Sequence, residues 1–525
     1  MQKKSFLAII LSVLVLFLWQ ALMRRVYHIE NKDVMQQSSQ QSTLSPEEIK
    51  SAPVPLFVPV STTNDTITES LLEQTDTSKL KLDYVNPGGK IGKIFLKDYN
   101  LSTEIKSSLY LKSSESSVYT FKKSITGEDE LSAEQNGHLN VQKLKVEKNP
   151  YYFKLEVVYK NSSDLAWKLS DKLVVNVITS EGKPEERQLF EVVFFDQEII
   201  RKNPSTVKNT FSSQNSLKAV GFRDRYSCII VSPEDSPAVK GYIEKSNNQH
   251  IEIGLDMGEI EVLPKSQKVF NYLVYIGPQD SATLKQANQG FEELVHYGTF
   301  NFISKALLSV MKLFYKITRN WGVALILLTV FIYLMTYPLT LKQMRSMKEM
   351  QELQPHIEAL KKNNKDNSQR LNKEIMELYR RHKINPLGGC LPMILQIPVF
   401  FGLYQALSRA IVLKGSKFLW IKDLAEPDKL FQLPQPLPFI GTEINLLPLL
   451  MAFGMGIQQK LSLKTSASTP EMLQQQKLMA TIMPIMFGFI FYHFPSGLAL
   501  YWFMNTSLST FSQWKILKAK ALVTN

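Results

Sequence analysis

The sequence predicts an α+β membrane protein: an antiparallel β-sandwich periplasmic domain plus a polytopic α-helical core, with six transmembrane helices, five of them in that core. Three observations carry this reading. Long apolar runs open the chain and recur after residue 320. Between them, short runs rich in β-branched and aromatic residues alternate and are punctuated by Asn, Pro and Gly. The charge divides along the same line. Of the net +13, residues 26–300 carry −6 and the remainder +19. This division argues against a nucleic-acid reading, which would want a basic patch on a soluble domain. Two cysteines exclude a disulfide scaffold and a four-cysteine zinc site.

Residues 1–25 read as an N-terminal transmembrane anchor. Phe6 to Met23 are eighteen uncharged positions, about the minimum for crossing a bilayer core. No small-residue cleavage site follows; the run ends in Leu22, Met23, Arg24 and Arg25, which argues for an uncleaved helix. Residues 26–80 are rich in Gln, Ser, Thr and Pro and read as a flexible linker. Residues 81–298 hold the strand signals, among them YYFKLEVVYKN from Tyr151, EVVFF from Glu191 and VFNYLVYIG from Val269. They predict the sandwich. No phosphate-binding glycine loop or metal motif stands among them, and His250 with Glu252 reads as an exposed strand face.

Residues 299–319 predict an amphipathic helix. Ile303, Leu307, Val310, Leu313, Phe314 and Ile317 take helical spacing, with Lys305, Lys312, Lys316 and Arg319 on another side, which suits the membrane interface. The core spans 320–515, with transmembrane helices at about 320–341, 387–408, 443–459, 478–494 and 497–514. Residues 342–384 predict a cytoplasmic helical hairpin: Met344, Met347, Met350, Leu353, Ile357 and Leu360 form one stripe, and Leu371, Ile375 and Leu378 another. Residues 516–525 form a tail. The loops 342–383 and 460–477 carry +5 and +2, and the C-terminal stretch carries +3 with Lys515, Lys518 and Lys520, which places them, and both termini, in the cytoplasm. The sandwich then lies in the periplasm and the chain is a multi-pass protein of the cell inner membrane.

The core contains little that could do covalent chemistry. No formal charge lies between Trp321 and Leu341, which argues against proton-coupled transport and voltage sensing. Uncharged polar residues sit at membrane depth instead: Thr329, Thr336, Gln396, Gln405, Asn505, Thr506, Ser507 and Ser509. Either they line a wet groove or they hydrogen-bond helix to helix. His493 and Ser496 lack a nucleophile elbow and an acid partner. From the residues alone, a transporter or channel with a periplasmic accessory domain, or an envelope scaffold, also stays open.

Four motifs carry a resemblance: TYPLTLKQ from Thr336, LQPHIEALKK from Leu353, NPLGGCLPMILQIPVFFGLYQAL from Asn385 and FPSGLALYWFMNTSLSTFSQW from Phe494. The chain resembles the YidC membrane protein insertase family in its Gram-negative-type form. The resemblance implies a non-enzymatic insertase and folding chaperone that needs no cofactor and no metal. It acts alone or beside the Sec translocon, on nascent membrane proteins, with the ribosome and anionic lipids as further partners and no nucleic acid bound directly. It also implies a hydrophilic substrate groove lined by Thr329, Tyr333, Gln396, Tyr501 and Trp502. Asn385, Pro386, Gly388, Gly389, Pro495 and Gly497 are then structural motif residues. The position of the family's groove arginine falls on Tyr333, so the charge is replaced by a ring and a hydroxyl.

Overall fold

The computed structural model describes residues 70–521, except 104, 106, 124–127, 136–137, 148, 180–186, 188, 197, 208–209, 235–238, 247–249, 288–289, 364–367, 383–390, 438–440 and 466–469. The anchor and most of the linker expected from the sequence lie outside the described residues.

Alternation of buried and outward residues builds the β region. In the strand Tyr152–Asn161, Phe153, Leu155 and Val157 are buried while Lys154 and Glu156 between them reach water. This strand pairs antiparallel on one side with Gln267–Pro278 and on the other with His138–Val146. Nine strands join in this way. Their order is Ile199–Lys202, Glu191–Phe195, Ala219–Arg223, Ser227–Pro233, Gln267–Pro278, Tyr152–Asn161, His138–Val146, Glu128–Gln135 and Thr120–Lys123. A second sheet of five strands centres on the long pair Trp167–Thr179 and His250–Val262. The two share one hydrophobic core, in which Val157, Phe194, Phe222, Leu173 and Ile253 meet with almost no exposed surface. A four-stranded sheet from Ser70 to Ser102 joins the same core through Leu80, Leu82 and Ile94. The result is an antiparallel β-sandwich followed by a helical region.

Among the polar groups buried in the sandwich, one carboxylate is fully enclosed by donors. Asp171 is buried and accepts from the Tyr159 hydroxyl at 2.7 Å, the Ser113 hydroxyl at 2.6 Å and the Ser113 amide at 2.9 Å. Its carboxylate is thereby satisfied without water.

The helical region begins with α1, Asn301–Thr318. Its buried stripe is Ser304, Leu308 and Met311, while Phe302, Leu313 and Ile317 face outward beside Lys305, Lys312 and Lys316. Arg319 takes a left-handed φ of 54° and stops the helix. Asn320 then caps α2, Trp321–Glu352, its side-chain oxygen accepting from the amides of Gly322 and Val323. The sequence suggests a break near 341, but α2 runs on through it for 32 residues, with Pro338 inside. Between Leu339 and Glu352 the chain holds Leu, Lys, Gln, Met, Arg and Glu, all good helix formers, and no glycine. Next come α3, Gln354–Asn363, and α4, Ser368–Arg381.

Four helices complete the region: α5, Leu391–Arg409; α6, Leu446–Thr465; α7, Pro470–Ile490; and α8, Ser496–Ala521. They pack with α1 and α2 around Leu325, Leu328, Leu403, Leu407, Met451 and Leu498. Between α5 and α6 lies a hairpin of two strands, Phe431–Leu437 and Gly441–Ile444. Among the described residues one helical stretch, Trp321–Ser346, is both long and apolar enough to cross a membrane. The later helices have the length but dilute it with polar stretches, such as QQK in α6, EMLQQQK in α7 and NTS in the middle of α8.

Candidate functional site

Each groove residue expected from the sequence can be placed on these helices. Thr329, in α2, is fully buried, and its hydroxyl donates to the Leu325 carbonyl of its own helix at 2.8 Å. Its proton is therefore not offered to a cavity. Tyr333, one turn further, is 7% exposed, and its hydroxyl donates to Ser512 Oγ of α8 at 2.7 Å. Gln396, in α5, donates from Nε2 to the Tyr501 hydroxyl of α8. Tyr501 itself has no exposed surface, whereas Gln396 and Trp502 retain some. The Trp502 ring stands edge-on to Phe400 at 5.4 Å and against Phe487 at 5.6 Å and Phe491 at 5.4 Å.

The structure thus brings together Gln396 with Tyr501, and Tyr333 with a residue missed from the sequence. Ser512 lies inside the expected helix 497–514 but is not among the polar residues singled out there, although it stands eleven residues from Tyr501, three helical turns along one face. That spacing was the available signal. Thr336, Ser507 and Thr510 bond back to their own helices, to the carbonyls of Ile332, Phe503 and Thr506. Gln405 lies elsewhere, at the far end of α5, where it accepts from the Phe300 amide at 3.1 Å.

The turn before α8 explains part of the motif read in the sequence. Pro495 precedes the first helical residue, where its missing N–H costs nothing. The Ser496 amide donates to the Glu426 carbonyl at 2.7 Å and the Gly497 amide to the Leu424 carbonyl at 2.9 Å. The Ser496 hydroxyl donates to the Asp423 carbonyl at 2.8 Å. A Cβ on residue 497 would sit 3.0 Å from the Leu424 oxygen, so this close approach of two backbones calls for glycine. The other motif residues, Asn385, Pro386, Gly388 and Gly389, lie outside the described residues.

The loop that receives α8 is itself tied by charge. Lys414 Nζ is 2.5 Å from Glu426 and 3.1 Å from Asp423, and Lys429 reaches Glu443 at 3.1 Å. Burial works against the Glu426 charge. The hydrogen bond and charge of Lys414, and then the charge of Lys429, outweigh it and hold that carboxyl below the usual carboxylate range.

An antiparallel β-sandwich followed by an apolar helical bundle, in which Gln396 meets Tyr501 and Tyr333 meets Ser512, defines the class of an α+β membrane protein. The helical region matches the family model described as 60Kd inner membrane protein over residues 313–522, and the sheets match that described as YidC periplasmic domain over residues 126–310. The chain belongs to the YidC family. It is similar to proteins called membrane protein insertase YidC. That of Pelobacter propionicus is 40% identical over 304 residues, 58% of this chain and 54% of the relative. That of Syntrophobacter fumaroxidans is 45% identical over 248 residues, 47% of this chain and 43% of the relative. That of Chlamydia caviae is 32% identical over 420 residues, 72% of this chain and 52% of the relative. The chain spans about half the length of the curated relatives it matches. A crystal structure of an active YidC insertase aligns at 19% identity and a TM-score of 0.38, covering 83% of this chain and 91% of that one.

Proposed function

We propose that this chain is a membrane protein insertase and folding chaperone of the inner membrane, acting alone or beside the Sec translocon. The activity is physical: no bond is made or broken. A nascent hydrophobic segment meets the cytoplasmic helices α3 and α4, enters a groove among α2, α5 and α8, and leaves sideways into lipid. Tyr333, Gln396, Tyr501 and Trp502 line the groove, and Thr329 packs behind them. The chain crosses the membrane six times, with both termini cytoplasmic and the sandwich in the periplasm. Anionic lipids meet the basic cytoplasmic loops and tail.

One observation carries this reading. Inside an otherwise apolar bundle, polar side chains of different helices, Gln396 with Tyr501 and Tyr333 with Ser512, satisfy each other in uncharged pairs. Such pairs exchange partners with water or with a passing peptide group at little net cost, because a hydrogen bond is lost and another made. They shorten the distance over which a substrate's polar flank is stripped of partners. Burial of the apolar segment in lipid then drives the step, at about 0.8 kcal/mol per CH₂ removed from water.

A photoreactive amino acid placed at 333, 396 or 502 tests this. Crosslinks to a nascent single-span protein stalled during synthesis are the expected result. Crosslinks to lipid alone, from all three positions, would overturn it.

A further inference from the structure

Helices α5 and α8 meet where Gln396 touches Tyr501. The β-sandwich is remote from both residues in sequence, yet it grips both helices through one side chain. Arg225 stands in the turn between the strands Ala219–Arg223 and Ser227–Pro233. That turn is stiff. Asp224 Oδ1 accepts from the amides of Tyr226 and Ser227 at 2.8 and 2.6 Å, and its Oδ2 accepts from the Ser227 hydroxyl at 2.6 Å. Gln279 Nε2 donates to the Asp224 and Ser227 carbonyls from below.

From this base the guanidinium reaches two places. Nε donates to the Ser408 carbonyl at 2.7 Å, and Nη2 donates to the Ala425 carbonyl at 3.0 Å. Its plane rests 4.8 Å from the Tyr226 ring centroid. Ser408 belongs to the last turn of α5, where carbonyls have no partner within the helix and the helix dipole is negative. Ala425 sits between Leu424 and Glu426, the two residues whose carbonyls receive the first amides of α8. One planar fork therefore holds the end of α5 and the cap of α8 at a fixed separation. Ser408 lies about 18 Å along α5 from Gln396, and Ser496 about 8 Å along α8 from Tyr501. Both helices run unbroken between bracket and contact, α5 with Pro398 close to Gln396, so their spacing at one end bears on it at the other.

We infer that Arg225 is a positioning residue: the sandwich uses it to fix the spacing of α5 and α8, and with it the contact of Gln396 with Tyr501. This rests on the groove reading above, since that contact lies in the proposed groove. It gives the periplasmic domain a mechanical part in insertion. A lysine at 225 cannot replace the fork, because an ammonium on a flexible stem serves one carbonyl at a time in this geometry.

The test uses the full chain reconstituted in lipid vesicles, as wild type, Arg225→Ala and Arg225→Lys. Three readouts are taken: amide hydrogen exchange over 405–413 and 496–501, insertion of a single-span test protein measured by protease protection, and the thermal midpoint of the sandwich. In Arg225→Ala, exchange at both helix ends is expected to rise about tenfold or more. Insertion is expected to fall severalfold at a near wild-type midpoint. Arg225→Lys, which keeps the charge and the stem, is expected to fall between the two. Unchanged exchange in both variants overturns the inference, and so does faster exchange with unchanged insertion. If the wild type itself inserts nothing, the groove reading fails, while the exchange data still decide whether the bracket exists.

Discussion

Acid should loosen the sandwich through one imidazole. His296 lies between the sandwich and α1, and its Nδ1 accepts from the Gly298 amide at 3.2 Å, which requires the neutral ring with its proton on Nε2. Its carbonyl accepts from Arg223 at 2.8 Å. Burial, and after it the positive charges of Arg201 and Arg223, hold the ring down at about 4 against an ordinary 6.5; Glu191 opposes them weakly and Arg409 adds a little. The folded chain therefore binds this proton less readily than the unfolded chain. Stability is greatest above pH 6.5, falls as pH drops from about 6.5 to about 4, and is flat with respect to this group below that. A depression of that size at a fully enclosed ring would correspond to about 3 kcal/mol. His296 keeps some contact with water, and screening brings the expected loss to about 1–2 kcal/mol. The assay is urea unfolding of the full chain in detergent at pH 7 and pH 4.5, followed through the sandwich, for wild type and His296→Gln. The wild type should lose about 1–2 kcal/mol more than the variant between the two pH values. Equal losses would refute the assignment, because every other acid-sensitive group is common to both proteins.

Three further outcomes follow from the geometry. Asp171→Ala leaves the Tyr159 hydroxyl and the Ser113 amide and hydroxyl buried without their acceptor, and should cost the sandwich about 3–5 kcal/mol in urea unfolding. Gly402→Val should part α1 from α5, since even a Cβ at 402 would lie 2.7 Å from Ile303 Cγ2; the expected reading is a lower thermal midpoint and lost protection of the Ser304 region in hydrogen exchange. Tyr333→Arg removes the bond to Ser512 and puts a cation in the bundle, so it should destabilise the helices while raising insertion of test proteins with acidic outer flanks; equal insertion of acidic and neutral flanks would count against charge attraction.

The sandwich was legible because its signal is local: Phe153, Leu155 and Val157 alternate with Lys154 and Glu156 within one strand. The order of strands was not, because Tyr152–Asn161 pairs with Gln267–Pro278 across more than a hundred residues and no local pattern encodes that. The amphipathic helix before Trp321 and the turn at Pro495–Gly497 were equally local. Of the candidate site, the residue types were legible and their partners were not. Thr329 looked available at membrane depth, but a threonine in a helix can satisfy itself on the preceding turn, and here it does. Ser512 was hidden because a lone serine near a helix end gives no sign of a partner on another helix. The grip of Arg225 on Ser408 joins residues 183 positions apart, and nothing in either neighbourhood announces it.

The unbroken length of α2 has a mechanical meaning. Its 32 residues make a rod of about 48 Å, against about 30 Å of hydrocarbon to be crossed. Some of it overhangs, and the overhang is the same rigid body that carries Tyr333. Under the proposed function, a load applied at Glu352 would reach the interior along this helix, through Pro338. Pro338 removes a backbone hydrogen bond inside the rod, and it lies five residues from Tyr333. On the proposed topology and function, bending there would turn the Tyr333 ring relative to Ser512 and so couple the far end of α2 to the polar pair.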